Sequence, residues 1–320
     1  MKFLLTIIQA VGLGCASAAA GRRVLHYLQL ESYQLPGYVK SVRRNAMRAL
    51  IPPIAMAAVG VAALRLSGLT GLALLLEALT AALLVWQAAK EKAKKPFVAT
   101  ERVKRLLAVH VAVNTVLALA LLTVSPVLGY LLPAFEPALL MLAALIAAPM
   151  EKHIAGQFIK DAQARLAAQP GLIKIGITGS YGKTSTKFLL RDILSVKYNV
   201  LATPSSFNTP MGVTRVIREQ LTPAHQVFIA EMGARHVGDI RELVELVHPQ
   251  MGLITSVGPQ HLDTFGTIER VRDTKYELIE GLPKDGTAVF ARDGAICEAL
   301  FERCPLERKY KPGMLVDAKN

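Results

Sequence analysis

The sequence predicts an α-helical transmembrane bundle of about five spans, followed by an α/β P-loop domain with a mainly parallel sheet. Three observations carry this. Long apolar runs are confined to residues 1–150; short β-rich runs alternate with helical periodicity over 171–320; and the stretch `GITGSYGKTSTKFLL`, Gly176 to Leu190, sets a glycine-framed lysine between a strand and a helix. With 52% hydrophobic residues in 320, the chain is too apolar for two ordinary soluble domains. Residues 151–170 read as an amphipathic linker between the two domains.

In order along the chain, the spans fall at about 3 to 20, 46 to 66, 69 to 89, 106 to 125 and 127 to 149, each near the ~20 residues that cross a bilayer. The net charge of +13 is concentrated in two loops, `GRRVLHYLQLESYQLPGYVKSVRRN` and `KEKAKKPFVATERVKR`, whereas the links at Ser67-Gly68 and Ser125-Pro126 are almost uncharged. That asymmetry orients a membrane protein and excludes nucleic acid as the reason for the basic balance. It places the N-terminus outside and everything after Pro149 in the cytoplasm of a bacterial cell, as a multi-pass protein of the cell membrane in contact with its lipids. The first segment also has signal-peptide character near Ala20, but cleavage and export would strand the phosphate loop outside the cell. Within the spans, Glu77 is expected to face other helices or be protonated, His110 and Asn114 share one helix face, and Pro133 and Pro137 flank Glu136 where a kink or cap is expected. Cys15, Cys297 and Cys304 have no metal-site spacing and give no disulfide framework.

In the second domain, `IKIGIT`, `NVLATP`, `QVFIAEM`, `MGLITSV` and `TAVF` read as strands, separated by the helical stretches `KTSTKFLLRDILSV`, `MGVTRVIREQL`, `VGDIRELVELV` and `TIERVRDTKYELIEGL`. Such alternation places ligands at the carboxyl ends of the strands. Phosphate binding needs inward backbone N–H groups before a helix N-terminus, which Gly179 and Gly182 permit; Lys183 then reaches the outer phosphates and the Thr184 hydroxyl suits Mg²⁺. The spacing is the short T-G-x-x-G-K-T. The candidate ATP site is Gly179, Ser180, Tyr181, Gly182, Lys183, Thr184 and Ser185. Lys275 is the one charged residue in a helical stripe with Ile268, Val271, Leu278 and Leu282, so it is expected to face the core.

Taken together, `TGSYGKTST`, `SFNTPMGVTRVI`, `AEMGARHVGDIREL`, `HPQMGLITSVGPQHLDTFGTIERVRDTKYELIEGL` and `GTAVFARDG` resemble the central ATP-binding domain of the Mur ligase family over about residues 171–320. The resemblance implies amide-bond formation in peptidoglycan precursor synthesis, with ATP phosphorylating a carboxylate that an amino acid or dipeptide amine then attacks. It also implies two Mg²⁺ ions, held by Thr184, Glu231, His261 and Lys275, the last as a CO2-derived carbamate. Lys183, Lys275 and His261 are then catalytic, and Asn208 and Thr209 lie near substrate.

Tyr181 stands where the family usually has Asn. The membrane bundle replaces the family's UDP-sugar-binding domain, which points to a lipid-linked precursor as acceptor; a soluble UDP-muramoyl peptide with the bundle as anchor is the rival. The chain stops at `MLVDAKN`, inside what the resemblance makes the central domain and before the family's second lobe, so by itself it is expected to bind Mg-nucleotide poorly and to form no amide bond. Two readings from other classes are an ATP-regulated membrane transport protein and a catalytically silent scaffold for wall-synthesis enzymes.

Overall fold

The computed structural model describes residues 2–91, 96–205, 207–292 and 294–313. Lys92, Lys94 and Lys95 of the second basic loop, Ser206 of `SFNTPMG`, Asp293 of `ARDG` and the terminal `MLVDAKN` lie outside the described residues. The chain divides into two compact units, Met1–His153 and Ile154–Asn320.

The first unit is helical: α1 Lys2–Ala20, α2 Arg22–Leu30, α3 Leu35–Arg44, α4 Ala46–Ser67, α5 Thr70–Lys90, α6 Glu101–Val124, α7 Pro126–Tyr130 and α8 Glu136–Ala167, the last running into the second unit. Among the described residues, five helical segments are long and apolar enough to cross a membrane: Phe3–Ala20, Ala46–Ser67, Thr70–Lys90, Glu101–Val124 and Leu132–Ala167. Thr100 caps α6 by accepting from the Val103 N–H, and Gly68, left-handed at φ +67°, stops α4. The fifth expected span is broken. Pro126 and Pro133 start separate short helical pieces, Leu132–Phe135 among them, before α8 begins at Glu136. The first basic loop is mostly helical too, as α2 and α3, whose apolar residues Val24, Leu25, Leu28 and Tyr38 are buried.

Small residues bring these helices together. A Cβ on Gly60 of α4 would lie 2.1 Å from Oε1 of Glu77 on α5, and one on Gly14 of α1 would lie 2.3 Å from Oγ1 of Thr115 on α6. Glu77, His110, Asn114 and Glu136 are all fully buried. Asn114 donates to the His110 carbonyl of its own helix rather than to a neighbour, while His110 Nε2 sits 3.0 Å from Glu136 Oε2 and Ser17 donates to Glu136 Oε1. Glu136 is therefore a buried partner of α1 and α6, not an exposed cap.

The second unit contains β1 Ile173–Thr178, α9 Lys183–Leu194, β2 Val200–Ala202, α10 Pro210–Gln220, β3 Val227–Glu231, α11 Asp239–Val247, β4 Met251–Ile254, α12 Leu262–Phe265, α13 Ile268–Glu280, β5 Thr287–Phe290, α14 Gly294–Arg303 and β6 Arg308–Tyr310. The strands form one parallel sheet in the order β2-β3-β1-β4-β5-β6. β3 is buried along its whole length, as its unbroken apolar run requires. β1 connects toward one edge and its neighbour β4 toward the other, so the switch point lies between their carboxyl ends.

Candidate functional site

The turn after β1 fills that switch point. Gly179 has φ +152°, and a Cβ there would lie 2.0 Å from Thr255 Oγ1 and 2.9 Å from the Ser256 nitrogen, so the main chain passes where no side chain fits. The segment following β4 laces the turn in place. The Ser180 N–H donates to the Ser256 carbonyl at 2.9 Å, the Tyr181 N–H to Ser256 Oγ at 2.7 Å, and Thr255 Oγ1 to the Tyr181 carbonyl at 2.6 Å. Ser180 Oγ bridges Gly258, donating to its carbonyl and accepting from its N–H. Two of the seven loop residues thus spend their amides on the β4 segment. The anion-facing donors are the first-turn N–H groups of α9, which begins after Gly182 at φ +80°. Tyr181 is exposed, with its ring edge against Gly258.

Lys183 Nζ curls over the turn and donates to the carbonyls of Gly179 (2.6 Å) and Ser180 (3.3 Å). Burial lowers its pKa and the Glu231 carboxylate opposes the shift. Glu231, at the end of β3, is the hub. Thr184 Oγ1 lies 3.0 and 3.1 Å from its two oxygens, Asn208 Nδ2 donates to Oε1 at 3.2 Å, and Lys187 Nζ donates to Oε2 at 2.8 Å. A hydroxyl and a carboxylate oxygen side by side, behind a helix N-terminus, are a hard-oxygen set that fits Mg²⁺ beside a nucleotide phosphate. His261 is exposed, left-handed at φ +55°, and its pKa is lowered by partial burial and then by Arg235, with Lys275 and Lys183 contributing; the neutral imidazole this favours is the ligand form. Lys275 is buried on α13 as the stripe predicts, and burial, helped by the Lys183 charge, brings its pKa down to about 8. The structure thus brings Thr184 and Asn208 into direct contact with Glu231, while Lys183, held on its own loop carbonyls, lies within electrostatic range of Glu231, Lys275 and His261. Thr209 is occupied otherwise: its hydroxyl caps α10 by accepting from the Gly212 N–H.

Sequence reasoning missed Lys187. It is fully buried, donating to Glu231 and, at 2.6 Å, to the carbonyl of Ser205, a non-glycine residue at φ +42°. The available signal was the one-turn spacing from Lys183 and Thr184 on the same helix face. Lys187 ties the metal-type carboxylate to the 205–209 loop. Lys187→Met leaves Glu231 buried without its cation and is expected to cost about 3 kcal/mol in the absence of divalent ions, with millimolar Mg²⁺ restoring part of it. Thermal unfolding with and without Mg²⁺ measures this; an unchanged midpoint would refute the role. Glu277 was missed as well. It is buried and accepts from the Gly238 and Arg241 N–H groups, satisfying the N-terminus of α11.

Residues 177–311 match the family model described as the Mur ligase middle domain. UDP-N-acetylmuramoyl-tripeptide--D-alanyl-D-alanine ligase of Mycobacterium bovis is 40% identical over 130 residues, 41% of this chain and 25% of that protein. The enzyme of the same name from Escherichia coli is 30% identical over 158 residues, 47% of this chain and 35% of that one. A crystal structure of MurF from Acinetobacter baumannii is similar at 27% identity and a TM-score of 0.47, covering 49% of this chain and 34% of that one. The chain spans about a quarter to a third of the length of these relatives.

Proposed function

We propose that this chain, whose residues 177–311 match the Mur ligase middle domain, is the ATP-handling, membrane-embedded part of an ADP-forming amide-bond ligase of peptidoglycan precursor synthesis. The observation that carries the reading is the Glu231 hub, where phosphate-loop Thr184, buried Lys187 and Asn208 of the neighbouring loop meet on one carboxylate. ATP is bound at the α9 N-terminus, where Lys183 leaves its loop carbonyls for the outer phosphates. Mg²⁺, held by Thr184 and Glu231 with His261 and a carbamylated Lys275 at a second ion, would neutralise developing phosphate charge. The γ-phosphoryl passes to a precursor carboxylate, and an amine displaces phosphate from the acyl phosphate, forming the amide. The relatives' names make D-alanyl-D-alanine the natural candidate amine.

The five apolar helices support a location in the bacterial cell membrane, the Lys/Arg asymmetry of its loops supports a cytoplasmic ATP site, and the bundle in place of the family's sugar-nucleotide domain supports a lipid-linked acceptor. The test combines two measurements. In a ligation-competent protein, ADP release should require both a carboxylate precursor and an amine; release stimulated by a solute without an amide product would make it a transport ATPase, and failure to bind nucleotide would make it a scaffold. A cysteine at Ser67 should be labelled by an impermeant reagent from outside while one at Lys104 is spared; the reverse pattern would overturn the topology.

A further inference from the structure

The first unit contains a cavity of about 310 Å³ between the start of α3, the first turns of α6 and the middle of α8. Its walls grade from polar to apolar along the helices. Arg102 and Glu151 lie at one end and Leu106 and Ala144 at the other, with Ala148 between; Ala144 and Glu151 are seven residues apart on one face of α8, about 10 Å. The alanines open the groove, since any longer side chain there would occupy it.

The polar end carries surplus positive charge. Arg105 engages both Glu151 oxygens through Nε and Nη2, at 2.6 and 2.8 Å, which consumes the carboxylate. Arg102 is left 3.7 Å from Glu151, beyond hydrogen-bond distance, with its side chain 44% exposed. Its guanidinium carbon is 3.9 Å from the centre of the Tyr33 ring, and that ring is presented by two successive left-handed non-glycine residues, Ser32 at φ +54° and Tyr33 at φ +64°. Such a backbone costs about 1 kcal/mol or more per residue and persists only where surroundings enforce it. The result is an arginine resting over an aromatic ring, with only a long ion pair to a carboxylate already engaged by Arg105, next to an apolar trough.

We infer that this groove binds one lipid with a phosphate headgroup, the phosphate on Arg102 and the chain along Leu106, Ala144 and Ala148. The inference rests on the membrane reading of the first unit. Free phosphate would use only the polar end and leave the apolar walls unfilled, whereas a phosphate-headed lipid matches both in the order found. The same groove would hold the anchor of a lipid-linked acceptor beside the cytoplasmic surface on the proposed topology.

Full-length protein in nanodiscs, extracted gently and observed by native mass spectrometry, should retain one phosphatidic acid at least tenfold better than phosphatidylcholine, and millimolar inorganic phosphate should not displace it. Arg102→Gln removes the cation while the Arg105–Glu151 pair stays; Ala148→Trp fills the trough at an exposed position with the charges intact. Each should reduce retention about tenfold. Retention equal to wild type in both variants, no preference between the two lipids, or displacement by phosphate alone would overturn the inference. The labelling pattern at Ser67 and Lys104 reports the membrane reading separately, so a correct topology without lipid retention would count against the groove alone. An unchanged helical circular-dichroism signal and thermal unfolding midpoint in the nanodiscs show that the first unit of each variant folds.

Discussion

Gly179→Ala is expected to weaken nucleotide binding about 100-fold while leaving the sheet intact. At φ +152° an alanine is strained, and its methyl would sit 2.0 Å from Thr255 Oγ1, so the turn must leave the β4 segment that fixes it. Strain and lost contacts of about 3 kcal/mol correspond to about a 100-fold weaker Kd for MgATP, read by calorimetric titration. Gly182→Ala is the control. Its nearest atom to a new Cβ is Thr255 Cβ at 3.8 Å, so only the φ of +80° penalises it, by about 1 kcal/mol or fivefold. Equal losses at the two positions would show that crowding against Thr255 is not what shapes the loop.

The second large effect is at Lys275. Burial and the Lys183 charge bring its pKa to about 8, so at pH 7 about a tenth is the neutral amine that attacks CO2, and the fraction rises through pH 8. The unfolded lysine, with its ordinary value of 10.5, holds its proton between pH 8 and 10.5 while the folded one has lost it, so Lys275 destabilises the fold at neutral pH and that penalty fades as pH rises through this window. A ¹³C-carbamate resonance from labelled bicarbonate should grow from pH 7 to 9 and vanish in Lys275→Ala. In a ligation-competent protein, Lys275→Ala should lose about 10²–10³-fold in rate, with partial rescue by a small carboxylic acid that supplies the missing oxygens. Near-normal turnover by Lys275→Arg, which keeps the charge but cannot form the carbamate, would refute the assignment.

Much of this was legible in the sequence because the relevant signals are local. The apolar runs fixed the membrane-length helices to within a few residues, except where Pro126 and Pro133 break the fifth. The stripe through Val271 and Leu278 placed Lys275 inside. The glycine spacing located the turn, but not that Ser180 and Tyr181 direct their amides to Ser256, because that depends on a strand more than 70 residues away. Lys187 was illegible for a related reason. A lysine on an amphipathic helix ordinarily reaches solvent, and only Glu231 on β3 and the Ser205 carbonyl make burial tolerable. Glu136 beside two prolines read as a helix cap because its partners, Ser17 and His110, come from α1 and α6. The sixth strand, `RKY`, has no apolar pattern and exists because β5 offers an edge.

The strand order also sets a timetable for synthesis. β1 is made early but is flanked by β3 and β4, and its pairing with β4 closes only at Thr178 against Ile254, 76 residues later. At about 5–20 residues per second on the ribosome, `IKIGIT` waits roughly 4 to 15 seconds for its second neighbour. During that interval the nascent chain carries an apolar strand with an open edge, a target for chaperones and for other nascent chains, and the phosphate turn is fastened only when Thr255 and Ser256 emerge.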